Sequence, residues 1–283
     1  MNEKKLKIVL DRLYVKYNRR DLIAPDPLQF VYKYRSKADR EIAALLSATL
    51  AYGRVEQIEN DLNKLFAILG RSPYEWTINF NNKKRKTLQS FRHRFNTGTD
   101  IADLLELLKI VLKKYGSIEN FFLVGFSRDN ENIVPALTDF CRRLYLMSEK
   151  KFHKKVSKGF QFLLASPASG SVCKRLNMFL RWMVRSDNVD PGLWKSIDKS
   201  KLIVPVDVHI ARLCKILGLY KRQTVSLKTA IEITENFKLI SPADPVKYDF
   251  SISRIGIIEN CTGKFRKECP DCQLLQFCNA PPS

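Results

Sequence analysis

Four cysteines crowd the C-terminal part of the sequence: Cys261, Cys269, Cys272 and Cys278, in the spacing C-x7-C-x2-C-x5-C. Thiolates at such short intervals can meet around one metal site. Four of them complete either a tetrahedral zinc shell or the ligand set of an iron–sulfur cluster. Disulfides are the competing use of the same residues. Cys141, Cys173 and Cys214 are isolated and bring the total to seven, and an odd count argues against an oxidised framework. The spacing favours metal. The intervening loop Thr262-Gly-Lys264-Phe-Arg266-Lys267-Glu carries three cations, and Lys264 and Arg266, pinned between ligands, suit a phosphate clamp.

A second constellation is Val204-Pro-Val-Asp207-Val-His209-Ile-Ala-Arg212-Leu-Cys-Lys-Ile-Leu-Gly218. Asp207 stands immediately ahead of an amphipathic helix that Gly218 ends, so it reads as an N-cap. Capping does not exclude a second role for the carboxylate. His209 falls in the first turn and reads as a packing or hydrogen-bonding residue rather than a ligand, because the cysteines already complete a shell. Elsewhere Phe91-Arg-His-Arg-Phe95 interleaves rings with cations. That composition suits base stacking with phosphate contacts, and equally two core phenylalanines with solvated arginines.

These residues must be held by helices, since the periodicity is helical almost throughout. Asp39–Ala51 is apolar enough to be a buried helix, and Val55–Leu69 follows. Thr99 or Asp100 caps a helix over Ile101–Tyr115 that Gly116 stops, and Ser117 begins a short one. Further helices are expected at 131–147, 155–165, 171–185, 207–218, 226–239 and 245–260. No alternating strand and no internal repeat is evident. The fold class is all-α.

The 283 residues hold 49 Lys+Arg against 29 Asp+Glu, a formal charge of +20. Such an excess favours a polyanionic partner, because each neutralised phosphate releases counterions. No apolar run is long enough to span a membrane. No signal-peptide pattern opens the sequence, so a soluble cytoplasmic protein with no obligate protein partner is expected.

Pro205-Val-Asp207-Val-His-Ile-x-Arg212, followed by the four-cysteine array, resembles the endonuclease III-like helix-hairpin-helix DNA glycosylases that carry the so-called GPD aspartate. Three more segments agree. Leu45-Leu-Ser-Ala-Thr49 is similar to that superfamily's Leu-Leu-Ser-Ala-Gln helix, and Lys174-Arg-Leu-Asn177 to the Lys-x-x-Asn after its hairpin. Asp249-Phe-Ser-Ile-Ser-Arg-Ile-Gly256 sits where its last helix lies. The likeness covers about half of the chain and points to a bacterial branch with an enlarged helical domain. The hairpin departs from the superfamily's Leu-Pro-Gly-x-Gly: here Leu164-Ala-Ser-Pro167-Ala-Ser-Gly170-Ser171 has one glycine. Lys174 and Asp207 are also separated by a longer connection, Trp182–Ile203.

The resemblance implies two helical domains flanking a DNA-binding cleft. One, residues 31–205, is a helical barrel with the degenerate hairpin near 164–174 and an insertion near 70–150. The other, 1–30 plus 206–283, bears the cluster. It implies base excision on double-stranded DNA, with Lys174 and Asp207 catalytic and a 4Fe-4S cluster on the cysteines. Gly170 and Ser171 would approach a phosphate, and Thr49, Tyr52 and Arg54 would lie where a flipped base leaves its hole. A carboxylate near C1′ stabilises the cation-like transition state, and a lysine amine opens a Schiff-base route to abasic-site cleavage. A non-catalytic DNA-binding protein on the same fold is the alternative, as is a four-cysteine zinc module contacting nucleic acid.

Overall fold

The computed structural model describes residues 3–280. Its helices begin and end where local chemistry dictates. Helix α1 spans Glu3–Tyr17 and buries Leu6, Val9, Leu10, Leu13 and Tyr17, a stripe at helical period. The rest of the chain then divides into two compact units. One is Ile23–Ser169; the other joins Met1–Leu22 to Gly170–Ser283.

Within Ile23–Ser169, α2 (Lys37–Thr49) is capped by Ser36 and is buried at every residue from Glu41 to Thr49. Helix α3 (Val55–Leu69) stops at Gly70, whose φ of 68° is left-handed. Two short helices that the periodicity does not reveal follow, α4 (Pro73–Ile78) and α5 (Asn82–Thr87), capped by Ser72 and Asn81. They are short pieces built on capping residues, too brief to show a hydrophobic period. A two-residue hairpin, β1 (Arg92–His93) paired antiparallel with β2 (Asn96–Thr97), corrects the expectation of no strand. Helix α6 (Gly98–Tyr115) begins earlier than a Thr99 cap would allow. Thr97 is the cap, and Asp100 closes the capping box from the third helical position. Next come α7 (Ile118–Leu123), α8 (Val134–Phe152) and α9 (Lys158–Leu163). Residues 70–150 are no appendage, for α4 packs on α2 and α6, and α6 packs on α7, α8 and α9.

The other unit holds α10 (Lys174–Val184), α11 (Val208–Ile216), α12 (Leu227–Ile240) and α13 (Asp249–Ile257). Helix α13 packs on α1 and α11, and α12 packs on α1. The units divide at Leu22/Ile23 and Ser169/Gly170, rather than at 30/31 and 205/206. The second boundary lies earlier because α10 and the connection after it are bonded to α13 and its approach: Arg181 to Asp249, and Arg185 to Asp244. Among the described residues no helix is long and apolar enough to cross a membrane.

Candidate active site

Asp207 caps α11. Its Oδ1 accepts from the amides of His209 (2.9 Å) and Ile210 (2.8 Å), leaving Oδ2 out of the cap. The His209 ring rests on α13 where Gly256 leaves room: a Cβ there would lie 2.5 Å from Nδ1. That nitrogen is buried and has no hydrogen-bond partner. His209 is thus a packing residue, and Gly256 is the condition for its seat.

Lys174 is half-buried at the first position of α10. The turn before it is tight: Cys173 takes a left-handed φ of 50°, and its amide donates to Ser171 Oγ at 3.2 Å. Burial pushes the Cys173 thiol up to about 11, against the pull of Ser171 and Arg175, so it is no nucleophile at neutral pH. Asn177 is buried. Its amide nitrogen donates to the Val172 carbonyl at 3.2 Å, while Oδ1 has no partner. Gly170 is exposed with φ 75° and open space where a Cβ would stand, so its backbone admits close approach. Ser171 is half-buried, its hydroxyl engaged in the turn.

Sequence reasoning missed the buried ion pairs that tie α10 to α13 and its approach. Arg181 is seven positions after Lys174, close to two helical turns, so it occupies the same face about 10 Å along the axis. It is buried and paired with Asp249, at the start of α13, and with Asp190. Burial lifts Asp249 to about 6; Arg181 pulls it down, and the charge of Asp207 pushes it further up. Helix α13, which Asp249 begins, packs on α11, which Asp207 caps. One turn beyond Arg181, Arg185 binds Asp187, Asp190 (2.9 Å) and Asp244 (3.0 Å). Burial disfavours its charge, but these carboxylates overcome that and hold the guanidinium protonated. The visible signal was two arginines, four apart, in the apolar run Met178-Phe-Leu-Arg181-Trp-Met-Val-Arg185.

The cysteine segment follows α13. No disulfide links any of the seven cysteines. Burial raises the Cys272 thiol, and the neighbouring Cys261 and Cys269 raise it further. The Arg266 amide donates to Cys269 Sγ at 3.1 Å. Among the described residues no three His, Cys, Asp or Glu side chains gather closely enough to hold a metal ion. The donor set nonetheless suits one by its chemistry: four unbridged thiols lie on one short segment, and an amide donates to one of the sulfurs. Lys264 is exposed. Arg266 instead turns back to the Glu259 carbonyl at 3.0 Å, so it latches the loop rather than reaching outward.

In the Ile23–Ser169 unit, Arg54 is exposed and Tyr52 half-buried. Thr49 is buried, with its hydroxyl donating to the Leu46 carbonyl at 3.1 Å, so it offers no contact surface. Its position at the end of a largely buried helix turns it inward. Phe91-Arg-His-Arg-Phe95 splits between its two readings: Phe91 and His93 are buried, whereas Arg92, Arg94 and Phe95 are exposed.

A family model described as a protein of unknown function, DUF2400, matches residues 26–258. The chain belongs to the DUF2400 family. No curated protein and no solved structure matches it. The DUF2400 region contains Lys174, Arg181, Asp207 and Asp249 and stops before Cys261.

Proposed function

We propose that this protein is a DNA base-excision glycosylase with abasic-site lyase activity, in which Lys174 supplies the amine and Asp207 the carboxylate. The observation that carries this reading is that the helices bearing Lys174 and Asp207 both engage α13 within one unit. Lys174 and Arg181 share a face of α10, Arg181 pairs with Asp249 at the start of α13, and α13 packs on α11, which Asp207 caps. The chemistry requires an amine and a carboxylate in one site. The target base is first turned out of the duplex, because C1′ cannot be reached inside it. As the C1′–N bond breaks, positive charge develops on the sugar and Asp207 stabilises it. The Lys174 amine attacks C1′ with its lone pair while the base departs with the bond's electron pair and takes a proton. The nitrogen then loses a proton as the C1′–O4′ bond breaks and O4′ is protonated, giving an imine on the opened sugar, from which a C2′ proton leaves and the 3′ phosphate departs with the C3′–O bond's electrons.

Cys261, Cys269, Cys272 and Cys278 would hold a 4Fe-4S cluster, or zinc in the alternative. When bound, that group orders the tail and takes no part in these steps. A cytoplasmic location with double-stranded DNA as partner belongs to the same proposal. The second reading is a non-catalytic DNA-binding protein on this fold. The use of Asp207 Oδ1 as a double cap favours it, because capping alone explains an aspartate at that position.

Borohydride trapping on duplex DNA with an abasic site tests the proposal. The wild type and Asp207→Asn should form a covalent complex, and Lys174→Ala should lose it. Trapping retained in full by Lys174→Ala removes the lyase assignment. No trapping by the wild type, together with tight, salt-sensitive binding, establishes the second reading.

A further inference from the structure

Three aromatic rings from three separate elements meet on the surface of the Ile23–Ser169 unit. Tyr52 follows α2, Phe95 sits at the turn of the hairpin, and Phe162 lies on α9. Tyr52 and Phe95 are parallel, 2° apart with centroids at 6.3 Å, and Phe162 stands edge-on to both, at 4.8 and 5.4 Å. Phe95 is 64% exposed and Phe162 38% exposed, so ring surface from both reaches solvent.

A rigid underlayer holds the rings there. His93 is buried between Asp61 (Nδ1, 2.8 Å) and the Tyr52 carbonyl (Nε2, 3.0 Å). The Tyr52 hydroxyl donates to Asn96 Oδ1 at 2.7 Å, and Asn96 Nδ2 donates to the Gly159 carbonyl at 2.8 Å. Asp100 accepts from Ser157 Oγ at 2.9 Å, and Gly159 closes against it, because a Cβ there would lie 2.5 Å from the carboxylate. The rings are thus pre-positioned by buried polar bonds rather than by contact with one another alone.

Cations border the rings. Arg94 has a left-handed φ of 48°, lies across Gly53 and stands 5.4 Å from the Phe95 ring. Arg54, Arg92 and Lys158 are exposed in the neighbouring chain segments. A groove of about 750 Å³ adjoins, lined by Gln57, Asp61, Lys64, Arg92 and Arg94 among others. Asp61 is almost fully buried, bonded to His93 and Gln57, and lies 3.6 Å from Lys64, so it offsets part of that lysine's charge; Asp100 is buried and hydrogen-bonded, and Glu56, in the first turn of α3, is exposed. Exposed ring faces beside a cationic groove match the two recognition needs of a single strand, π-faces for bases and positive charge for the backbone.

We propose that this surface is a stacking platform for unpaired nucleobases of a single-stranded nucleic acid. Bases lie on Phe95 and Phe162, and phosphates run along Lys64, Arg92 and Arg94. The platform is independent of the reaction assigned to Lys174 and Asp207.

Fluorescence anisotropy with the full chain tests it on a short oligothymidine and on a strand of equal length and charge built from baseless tetrahydrofuran units. Oligothymidine should bind at least about tenfold more tightly. Phe95→Ala and Phe162→Ala should each weaken it by about 5- to 100-fold, with an unchanged melting temperature and unchanged affinity for the baseless strand. Phe95→Trp should retain binding. Arg94→Ala should weaken both strands and reduce the salt slope by about 0.7. An oligouridine arm distinguishes RNA from DNA as the source of the bases by which strand binds more tightly. Equal affinity for the based and baseless strands, or an unaltered Phe95→Ala, overturns the proposal. Because strand binding is measured without chemistry, its failure leaves the trapping result untouched.

Discussion

Asp249 is buried at the start of α13 and paired with Arg181. A carboxylate removed from water has its charge penalised, so burial raises it; Arg181 opposes that, and the charge of Asp207 adds to it. Its value moves from 3.8 to about 6. The sign follows: between these values the folded protein holds a proton that the unfolded chain releases, so this group's stabilising contribution is complete below pH 3.8 and is lost as pH rises through 6. Carboxyl carbon NMR should place the Asp249 midpoint near 6, and Asp207→Asn should lower it, since a neighbouring negative charge is removed. An unmoved midpoint would show that Asp207 and Asp249 are not electrostatically coupled. Asp11 shows the opposite case. Burial penalises it, yet hydrogen bonds from Lys247, Lys7 and Tyr248 bring it down to about 2, tying α1 to the approach of α13.

Among the elements, the cysteine segment has the least support of its own. Between Cys261 and Cys278 it forms two single-turn 3-10 helices, Cys269–Asp271 and Leu275–Phe277. Leu274 is its buried apolar anchor. The segment is tied at its ends: Arg212 donates to the Cys261 carbonyl at 3.0 Å, and the Asn279 amide to the Ile216 carbonyl at 2.8 Å. Lys16 and Tyr17 of α1 hold Glu259 just before it. A stretch with so little core gains most from a metal cross-link. The purified protein should be brown, absorbing at ~400 nm, and Cys272→Ser should lose the colour and become protease-sensitive in the segment after α13 while the helical circular dichroism persists. A colourless protein containing one zinc selects the alternative metal. Neither metal in a protein purified without air would end the cluster proposal.

At the scale of the whole molecule the dominant property is charge. A formal +20 cannot be neutralised internally, although the buried network around Arg181 and Arg185 absorbs several carboxylates. The remaining cations outnumber acids at the surface, and a polyanion releases counterions on binding there. Duplex affinity should fall with salt along a log–log slope steeper than about −4, the mark of four or more phosphates engaged. A slope near zero would remove nucleic acid as the partner on electrostatic grounds. Separate contributions from the two units can be read by comparing Arg94→Ala with Lys264→Ala.

Local chemistry was legible in the sequence because it depends on neighbours along the chain. The Asp207 cap, the Gly70 and Gly116 stops, the Ser117 cap and the buried Ala/Leu helix of Asp39–Ala51 follow from residues within a few positions of one another. The hairpin at Arg92–Thr97 was not legible, since two-residue strands are too short to alternate. Nor was the inward turn of Thr49, which its buried helix decides, or the split of Phe91 from Phe95. The Arg181–Asp249 pair joins positions 68 apart, and the Tyr52–Phe95–Phe162 cluster gathers three elements. Sequence by itself determined the helical class, the charge and the cysteine spacing. Only the tertiary structure decided which charges are buried together and which rings meet, because those energies arise from contacts between segments that the chain does not make neighbours.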